Sequence, residues 1–125
     1  MTKILIADDE PNILLSLEFL MKKEGHRVFI ARDGQEAHDL IRQEQPDLLL
    51  LDVMMPRMDG LELCRFVRAE PAYADMKVIF LSAKSKEADV RAGYEAGANL
   101  YLPKPFSTRE LVKKINELIA TNEPD

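Results

Sequence analysis

The sequence predicts an α/β domain, a three-layer doubly wound (βα)5 sandwich with helices on both faces of a five-stranded parallel sheet. Five short apolar runs alternate with stretches in which apolar residues recur at helical spacing. Continuous apolar runs are typical of strands buried on both faces, and parallel neighbours need crossover helices between them. A chain of 125 residues, 46% hydrophobic and 31% charged, is expected to form one domain with a solvated exterior.

The apolar runs differ in continuity. The uninterrupted runs, which predict central strands, are residues 4–7, 48–51 and 78–81. Residues 28–31 and 100–102 form weaker runs, and we expect them to be peripheral strands. The last run meets Pro103, which suits a strand end because proline cannot donate to a sheet ladder. Periodicity alone leaves the order of the strands open.

The first three helices begin at recognisable residues. Pro11 suits a first helical position, Asp33 can cap the second helix, and the third is predicted from about Gly60 to Glu70. The predicted buried faces are Ile13, Leu17, Leu20 and Met21 in the first helix, Ala37, Leu40 and Ile41 in the second, and Cys64 and Val67 in the third.

The last two helices differ in the apolar surface that they offer. The fourth, residues 86–96, has only Val90, Tyr94 and small alanines to bury, which predicts weak packing and a mobile element. The fifth begins with a capping box, residues 107–110, and continues with an apolar stripe. The stripe consists of Leu111, Ile115, Leu118 and Ile119.

Composition argues against several classes of function. A net charge of −5 disfavours binding to nucleic acid or to an anionic membrane. The single cysteine, Cys64, cannot form an internal disulfide and is expected in the core, while His26 and His38 fit no zinc spacing and are expected at the surface. The apolar runs are too short for a signal peptide or a membrane span, so we expect a cytoplasmic protein.

Polar residues follow four of the predicted strands. Asp8 and Asp9 follow the first strand, Asp52 the third, Ser82 the fourth and Lys104 the fifth. Ligands of open parallel sheets bind at the carboxyl ends of the strands, so these side chains are expected to meet. Carboxylates that meet repel one another, and an oxygen-only, incomplete cage favours Mg²⁺ as the compensating cation. Such a site suits phosphoryl transfer to an aspartate.

Each of these residues also has an ordinary structural interpretation. Asp9 suits the positive end of a helix dipole, and Asp52 can cap the following loop. Ser82 can be a turn residue and Lys104 a solvated surface charge. Their shared position at one edge favours the site, because burying Asp52 at the end of an apolar strand is costly.

Four motifs together resemble the receiver domain of bacterial two-component response regulators. They are residues 4–10 (ILIADDE), residues 51–56 (LDVMMP) with Asp59-Gly60, residues 81–83 (LSA) and residues 104–106 (KPF). The resemblance covers residues 1–121 and leaves residues 122–125 as a tail or the start of a linker. It implies a flavodoxin-like fold similar to the chemotaxis regulators, with strand order 2-1-3-4-5.

The resemblance also implies the roles of individual residues. Asp52 is expected to be the phosphoacceptor, with Lys104 gripping the phosphoryl group. Asp8, Asp9, Asp52 and the backbone carbonyl of Met54 are expected to hold Mg²⁺, with Mn²⁺ as an alternative. Ser82 and Tyr101 are the expected switch residues, with Tyr101 turned inward in the activated state. Gly60 is a structural residue, and the Lys104–Pro105 bond is expected to be cis, which would turn the lysine toward the pocket.

The function that the resemblance implies is a signalling switch. A sensor histidine kinase or a histidine phosphotransfer protein would donate the phosphoryl group, and the altered surface would bind a downstream effector domain or protein. The chain would catalyse only its own phosphorylation and dephosphorylation, so it is not expected to be an enzyme in the usual sense.

Two positions depart from the family or from the expected polarity. Leu100 stands where one DNA-binding subfamily has an acidic residue four before the lysine, which argues against that subfamily's dimer. Leu15 and Phe19 are apolar on the side of the first helix opposite its core stripe. We expect them to dock a kinase or phosphotransfer helix bundle or to form a homodimer contact. The alternative is that they pack on the edge of the fifth helix.

Three other classes of protein remain alternatives. A haloacid dehalogenase phosphatase would have a second aspartate at position 54, which is methionine here. In a flavodoxin-like electron carrier, the acidic loop at residues 8–10 would repel the phosphate of FMN. A degenerate receiver acting only as a protein-interaction module would lack this intact acidic set. The sequence does not specify the kinase, the output or the oligomeric state.

Overall fold

The computed structural model describes residues 1–120, so the predicted tail at residues 122–125 lies outside the described residues. Strands and helices alternate along the chain. The strands are β1 (Lys3–Ala7), β2 (Arg27–Ala31), β3 (Leu48–Leu51), β4 (Lys77–Ser82) and β5 (Leu100–Pro103). The helices are α1 (Pro11–Lys23), α2 (Gly34–Glu44), α3 (Gly60–Ala69), α4 (Glu87–Glu95) and α5 (Thr108–Ala120). A 3-10 turn, Pro71–Tyr73, precedes β4.

All five strands are parallel and lie in the order β2-β1-β3-β4-β5, as the resemblance implies. Alternate residues of each central strand enter two separate apolar clusters. Leu5, Leu49 and Phe80 face α2, α3 and α4, whereas Ile4 and Leu50 face α1 and α5. Both faces of the sheet are therefore covered, which explains why the strands read as continuous apolar runs.

The buried face of α1 is rotated from the predicted stripe. Leu14, Leu17 and Met21 are buried, whereas Ile13 and Leu20 are only half-buried. The prediction missed Leu14 because two overlapping stripes of apolar residues run along this helix. Leucine and phenylalanine at positions 15 and 19 are 64% and 72% exposed, so the alternative in which they pack on the fifth helix is wrong.

Two predictions about single residues have different outcomes. Cys64 is fully buried, and its thiol donates to the carbonyl oxygen of Ala96 at 3.3 Å, which confirms a core role. The surface prediction for His38 is wrong, because its ring lies 4.2 Å from that of Phe66 and its side chain is mostly covered. Within residues 1–120, no helix is both long and apolar enough to cross a membrane.

Candidate functional site

Four of the five strands deliver a polar side chain to the same edge of the sheet. Asp8 directly follows β1, Asp52 directly follows β3, Ser82 ends β4 and Lys104 directly follows β5. Asp8, Asp52 and Ser82 are the buried polar residues of the described part of the chain. Burial of polar groups is costly unless they are paired, so this edge differs from the rest of the interior.

The acidic residues form one cluster. Asp8, Asp9 and Asp52 each offer a carboxylate oxygen, and these oxygens lie within 4.8 Å of one another. The Glu10 N–H donates to Oδ1 of Asp8 at 2.9 Å, and the Met54 N–H donates to Oδ1 of Asp52 at 3.2 Å. One oxygen of each buried carboxylate is thus held by the backbone two residues onward, and the second oxygen faces Lys104.

Lys104 reaches the second oxygen of both buried carboxylates. Its Nζ lies 2.9 Å from Oδ2 of Asp8, 3.4 Å from Oδ2 of Asp52 and 3.9 Å from Oε1 of Glu10. Burial lowers the pKa of Lys104, but the hydrogen bond to Asp8 and the surrounding negative charges outweigh it and leave the pKa raised. The ammonium group is therefore a stable cation at this edge. The Lys104–Pro105 peptide bond is cis, as expected.

Asp52 is a carboxylate of the cluster whose negative charge is disfavoured by its surroundings. Burial raises its pKa, and the negative charge of Asp8 acts in the same direction, against the opposing influence of Lys104 and the Met54 N–H. An added cation would relieve this charge. Three carboxylate oxygens at this spacing fit a hard divalent ion such as Mg²⁺, which takes oxygen ligands and retains several waters.

The hydroxyl side of the site is organised around Lys84. Its N–H donates to Oγ of Ser82 at 3.1 Å, and its carbonyl accepts from the Tyr101 hydroxyl at 2.6 Å. The Tyr101 ring is 4% exposed and therefore turned inward, with its centroid 5.9 Å from that of Phe80. Burial raises the pKa of the Tyr101 phenol, which keeps it a hydrogen-bond donor.

Two glycines position the loop between β3 and α3. The Gly60 N–H donates to the Val53 carbonyl at 2.8 Å, and a β-carbon at position 60 would overlap the backbone carbonyl oxygen of Asp52. The Gly34 N–H donates to the Pro56 carbonyl at 3.2 Å, and a β-carbon there would overlap the loop backbone. Both glycines are therefore required by close backbone approach.

The sequence assigns no role to Gly34 or to Arg57, a residue of the loop that Gly34 contacts. Arg57 has a φ of 73°, in the left-handed region, and its Nε lies 3.5 Å from Oδ2 of Asp33. Asp33 also caps α2 by accepting from the Glu36 N–H, as predicted. The sequence shows an aspartate-glycine pair at the start of α2. Nothing in the sequence indicates that this pair contacts the distant loop before α3.

The comparison with protein families gives a clear match. The family model of the response regulator receiver domain matches residues 4–116, which is most of the chain. Its range contains every residue that the geometry brings to the site.

Solved structures agree with this match. A protein described as a response regulator from Chloroflexus aurantiacus is 37% identical, with a TM-score of 0.90, 95% of this chain covered and 98% of that one. The receiver domain of Francisella response regulator 1452 is 32% identical, with a TM-score of 0.90 and coverage of 98% and 100%.

A third structure bears on the metal. The receiver domain of a sensor histidine kinase from Pseudomonas aeruginosa is 29% identical, with a TM-score of 0.87 and coverage of 95% and 98%. That protein has a magnesium ion coordinated in its active site cleft. From its sequence, its strand order and its acidic edge, this chain belongs to the response regulator receiver domain family, the signalling domains of two-component systems.

Proposed function

We propose that this chain is a phosphorylation-activated switch in which Asp52 accepts a phosphoryl group from a phosphohistidine. The observation that carries the proposal is the position of Oδ2 of Asp52, which is 3.4 Å from the Lys104 ammonium within the cluster of carboxylate oxygens. This oxygen attacks phosphorus, the P–N bond to the histidine breaks, and the imidazole nitrogen keeps the electron pair. The product is an aspartyl phosphate.

Asp8, Asp9 and Asp52 would hold Mg²⁺ with the backbone carbonyl of Met54, and Mn²⁺ has the same oxygen preference. When bound, the ion neutralises the negative charge that otherwise keeps a phosphoryl group away from three carboxylates. Lys104 stays protonated and exchanges its contact with Asp52 for one with the incoming phosphoryl oxygens. These residues bind and orient, so the chain catalyses only its own phosphorylation and dephosphorylation.

Ser82 is proposed as the residue that detects the phosphoryl group. Its Oγ accepts the Lys84 N–H and also lies within hydrogen-bond reach of the Tyr101 hydroxyl, so we expect the hydroxyl hydrogen to turn to a phosphoryl oxygen when Asp52 is phosphorylated. Lys84 also holds the Tyr101 hydroxyl, so movement at Ser82 is passed to α4 and β5. That surface would bind the downstream effector domain or protein.

Leu15 and Phe19 are proposed as the contact for the phosphohistidine donor, a helix bundle of a sensor histidine kinase or phosphotransfer protein. Both side chains are exposed on α1, whose first residue, Pro11, comes two residues after Asp9. A donor that reaches Asp52 approaches the edge of the sheet where α1 starts, and helix bundles offer apolar side chains for contact with Leu15 and Phe19. The receiver unit is proposed to span residues 1–121.

The direct test is the intact mass of the protein after incubation with Mg²⁺ and acetyl phosphate. We expect one added phosphoryl group on the wild type and on Asp39→Ala, a control at an exposed aspartate of α2. We expect none on Asp52→Ala and none after chelation of the metal. Phosphorylation of Asp52→Ala would contradict the assignment. A wild type that gains nothing and binds no Mg²⁺ would be a degenerate receiver, a protein-interaction module. One that binds Mg²⁺ without gaining a phosphoryl group would require transfer from a phosphohistidine donor.

The donor contact is tested with the double variant Leu15→Ser and Phe19→Ser. We expect its phosphorylation by acetyl phosphate to match the wild type, because a small donor needs no docking surface. Transfer from a phosphorylated histidine phosphotransfer protein should slow by about tenfold, corresponding to about 1.4 kcal/mol of lost contact. Unchanged transfer together with reduced self-association in sedimentation would instead identify a homodimer contact.

A further inference from the structure

Helix α4 contacts strand β5 through two adjacent residues that both meet Tyr101. Gly93 presents bare backbone to the Tyr101 ring, and a β-carbon at position 93 would lie 2.6 Å from Cδ2 of that ring. The Tyr94 hydroxyl accepts a hydrogen bond from the Tyr101 backbone N–H at 3.2 Å. One residue of β5 is therefore held at its ring and at its backbone by successive residues of α4.

The Tyr94 contact lies on the outer side of an edge strand. β5 pairs with β4 alone, so a backbone N–H on its outer side would ordinarily face water. The sequence predicted Tyr94 as a buried residue, but it is 45% exposed and its hydroxyl reaches this N–H. Tyr94 thus contributes a specific polar contact, not apolar filling of the core.

The contact continues a line of hydrogen bonds that ends in the proposed phosphoacceptor site. The Tyr101 hydroxyl donates to the Lys84 carbonyl, and the Lys84 N–H donates to Oγ of Ser82. The Ser82 carbonyl in turn accepts the Lys104 N–H at 2.7 Å. An inward Tyr101 therefore fixes Lys84, and the Lys84 N–H holds Oγ of Ser82 in position.

We propose that Tyr94 is a positioning residue that favours the inward orientation of Tyr101 and thereby keeps Ser82 ready to bond the phosphoryl group on Asp52. This inference rests on the proposed function and adds a regulator of the same site. The bond forms only while α4 is seated against β5, so a helix that moves away gives it up. One such bond increases the population of the seated state, relative to the state in which α4 has moved away, by about fivefold.

The test is Tyr94→Phe, which removes one oxygen atom and keeps the ring. The chain contains three tyrosines, so protein labelled with fluorotyrosine gives few fluorine NMR signals to assign. We expect the Tyr101 signal to shift toward its solvent-exposed position and phosphorylation by acetyl phosphate to slow by about twofold to fivefold. Mg²⁺ affinity should stay at the wild-type value, and Tm should fall by no more than about 5 °C, the effect of one lost hydrogen bond. Tyr73→Phe, on the turn before β4, is the matched control.

The outcomes separate this inference from the proposed function. An unchanged or faster phosphorylation rate in Tyr94→Phe, or an unchanged Tyr101 signal, overturns the role of Tyr94. A parallel loss of Mg²⁺ affinity, or a fall in Tm larger than about 5 °C, also overturns it, because the effect would then be general destabilisation. Failure of the wild type to be phosphorylated by either acetyl phosphate or a phosphohistidine donor overturns the proposed function, and the fluorine signal of unphosphorylated protein still reports whether Tyr94 holds Tyr101.

Discussion

Helices α3 and α4 pack on the same face of the sheet, on either side of Phe80, but they are held very differently. α3 buries Gly60, Leu63, Cys64 and Val67 in ten residues, whereas α4 buries only Gly93 in nine. Burial of apolar side chains is the main source of helix stability in a domain, so α4 has the smaller barrier to local movement.

The difference divides the site into a fixed wall and a movable wall. The fixed wall is the loop before α3, which follows Asp52 and is clamped through Gly34 and Gly60. The movable wall is the loop before α4, which is held at Lys84 by the hydroxyls of Ser82 and Tyr101. Carboxylates held in fixed positions favour cation binding and the proposed attack on phosphorus. A helix with few buried contacts can shift more easily and so change the surface that it presents.

The largest expected effect comes from a β-carbon on the fixed wall. Gly60→Ala places that carbon against the backbone carbonyl of Asp52, which cannot move without displacing this proposed phosphoacceptor. We expect a loss of at least about 3 kcal/mol in the free energy of unfolding, measured with urea, together with loss of phosphorylation.

The matched substitution on the movable wall is Gly93→Ala. Its β-carbon meets the ring of Tyr101, a side chain that can rotate outward. We expect a loss of about 1 kcal/mol or less, since alanine also favours the helix. Equal losses at positions 60 and 93 would contradict the distinction between the two walls.

A pair of truncations in the two helices should give the next largest difference. Leu63 of α3 is fully buried, so Leu63→Ala should cost about 2–3 kcal/mol through lost contacts and a cavity. Val90 of α4 is half-buried, and Val90→Ala should cost less than about 1 kcal/mol. Native-state hydrogen exchange should show α4 amides opening before α3 amides in the wild type. The reverse order of opening would contradict the comparison.

The sequence was sufficient for the fixed features of the fold. Strands buried on both faces leave continuous apolar runs, so the five strands were predicted close to their observed bounds. Parallel strands send their ends to one edge, so the meeting of Asp8, Asp52, Ser82 and Lys104 also followed. The order of the strands did not follow from periodicity, because a strand's apolar pattern carries no information about its neighbour.

The features that the sequence did not predict depend on contacts between distant segments. The loop before α3 lies too close to Gly34 for a β-carbon, and the Tyr94 hydroxyl accepts a hydrogen bond from a backbone N–H of β5. The surface prediction for His38 is wrong because polar residues are usually exposed, yet its ring packs at a tilt against Phe66 of the adjacent helix. In each case the deciding partner lies on another element, and no local pattern identifies it.

Asp52 directly precedes the fixed wall. The smallest expected effect is a gain in the free energy of unfolding from Asp52→Asn. The folded state raises the pKa of Asp52 through burial and the Asp8 charge, so the ionised carboxylate lowers stability at neutral pH. A neutral asparagine removes that cost, and without metal we expect a gain of up to about 1 kcal/mol, or a few degrees in Tm.

The sign of the pH dependence distinguishes this cause from better packing. A raised folded pKa means that the wild type is relatively most stable where Asp52 is protonated and loses that contribution as pH rises through the folded pKa. The Tm difference between Asp52→Asn and wild type should therefore be largest at neutral pH and shrink in acid. Added Mg²⁺ should also shrink it, because only the wild type keeps all three carboxylates. A gain that is constant across pH would contradict this prediction, because the added stability would then not come from removing the buried charge of Asp52.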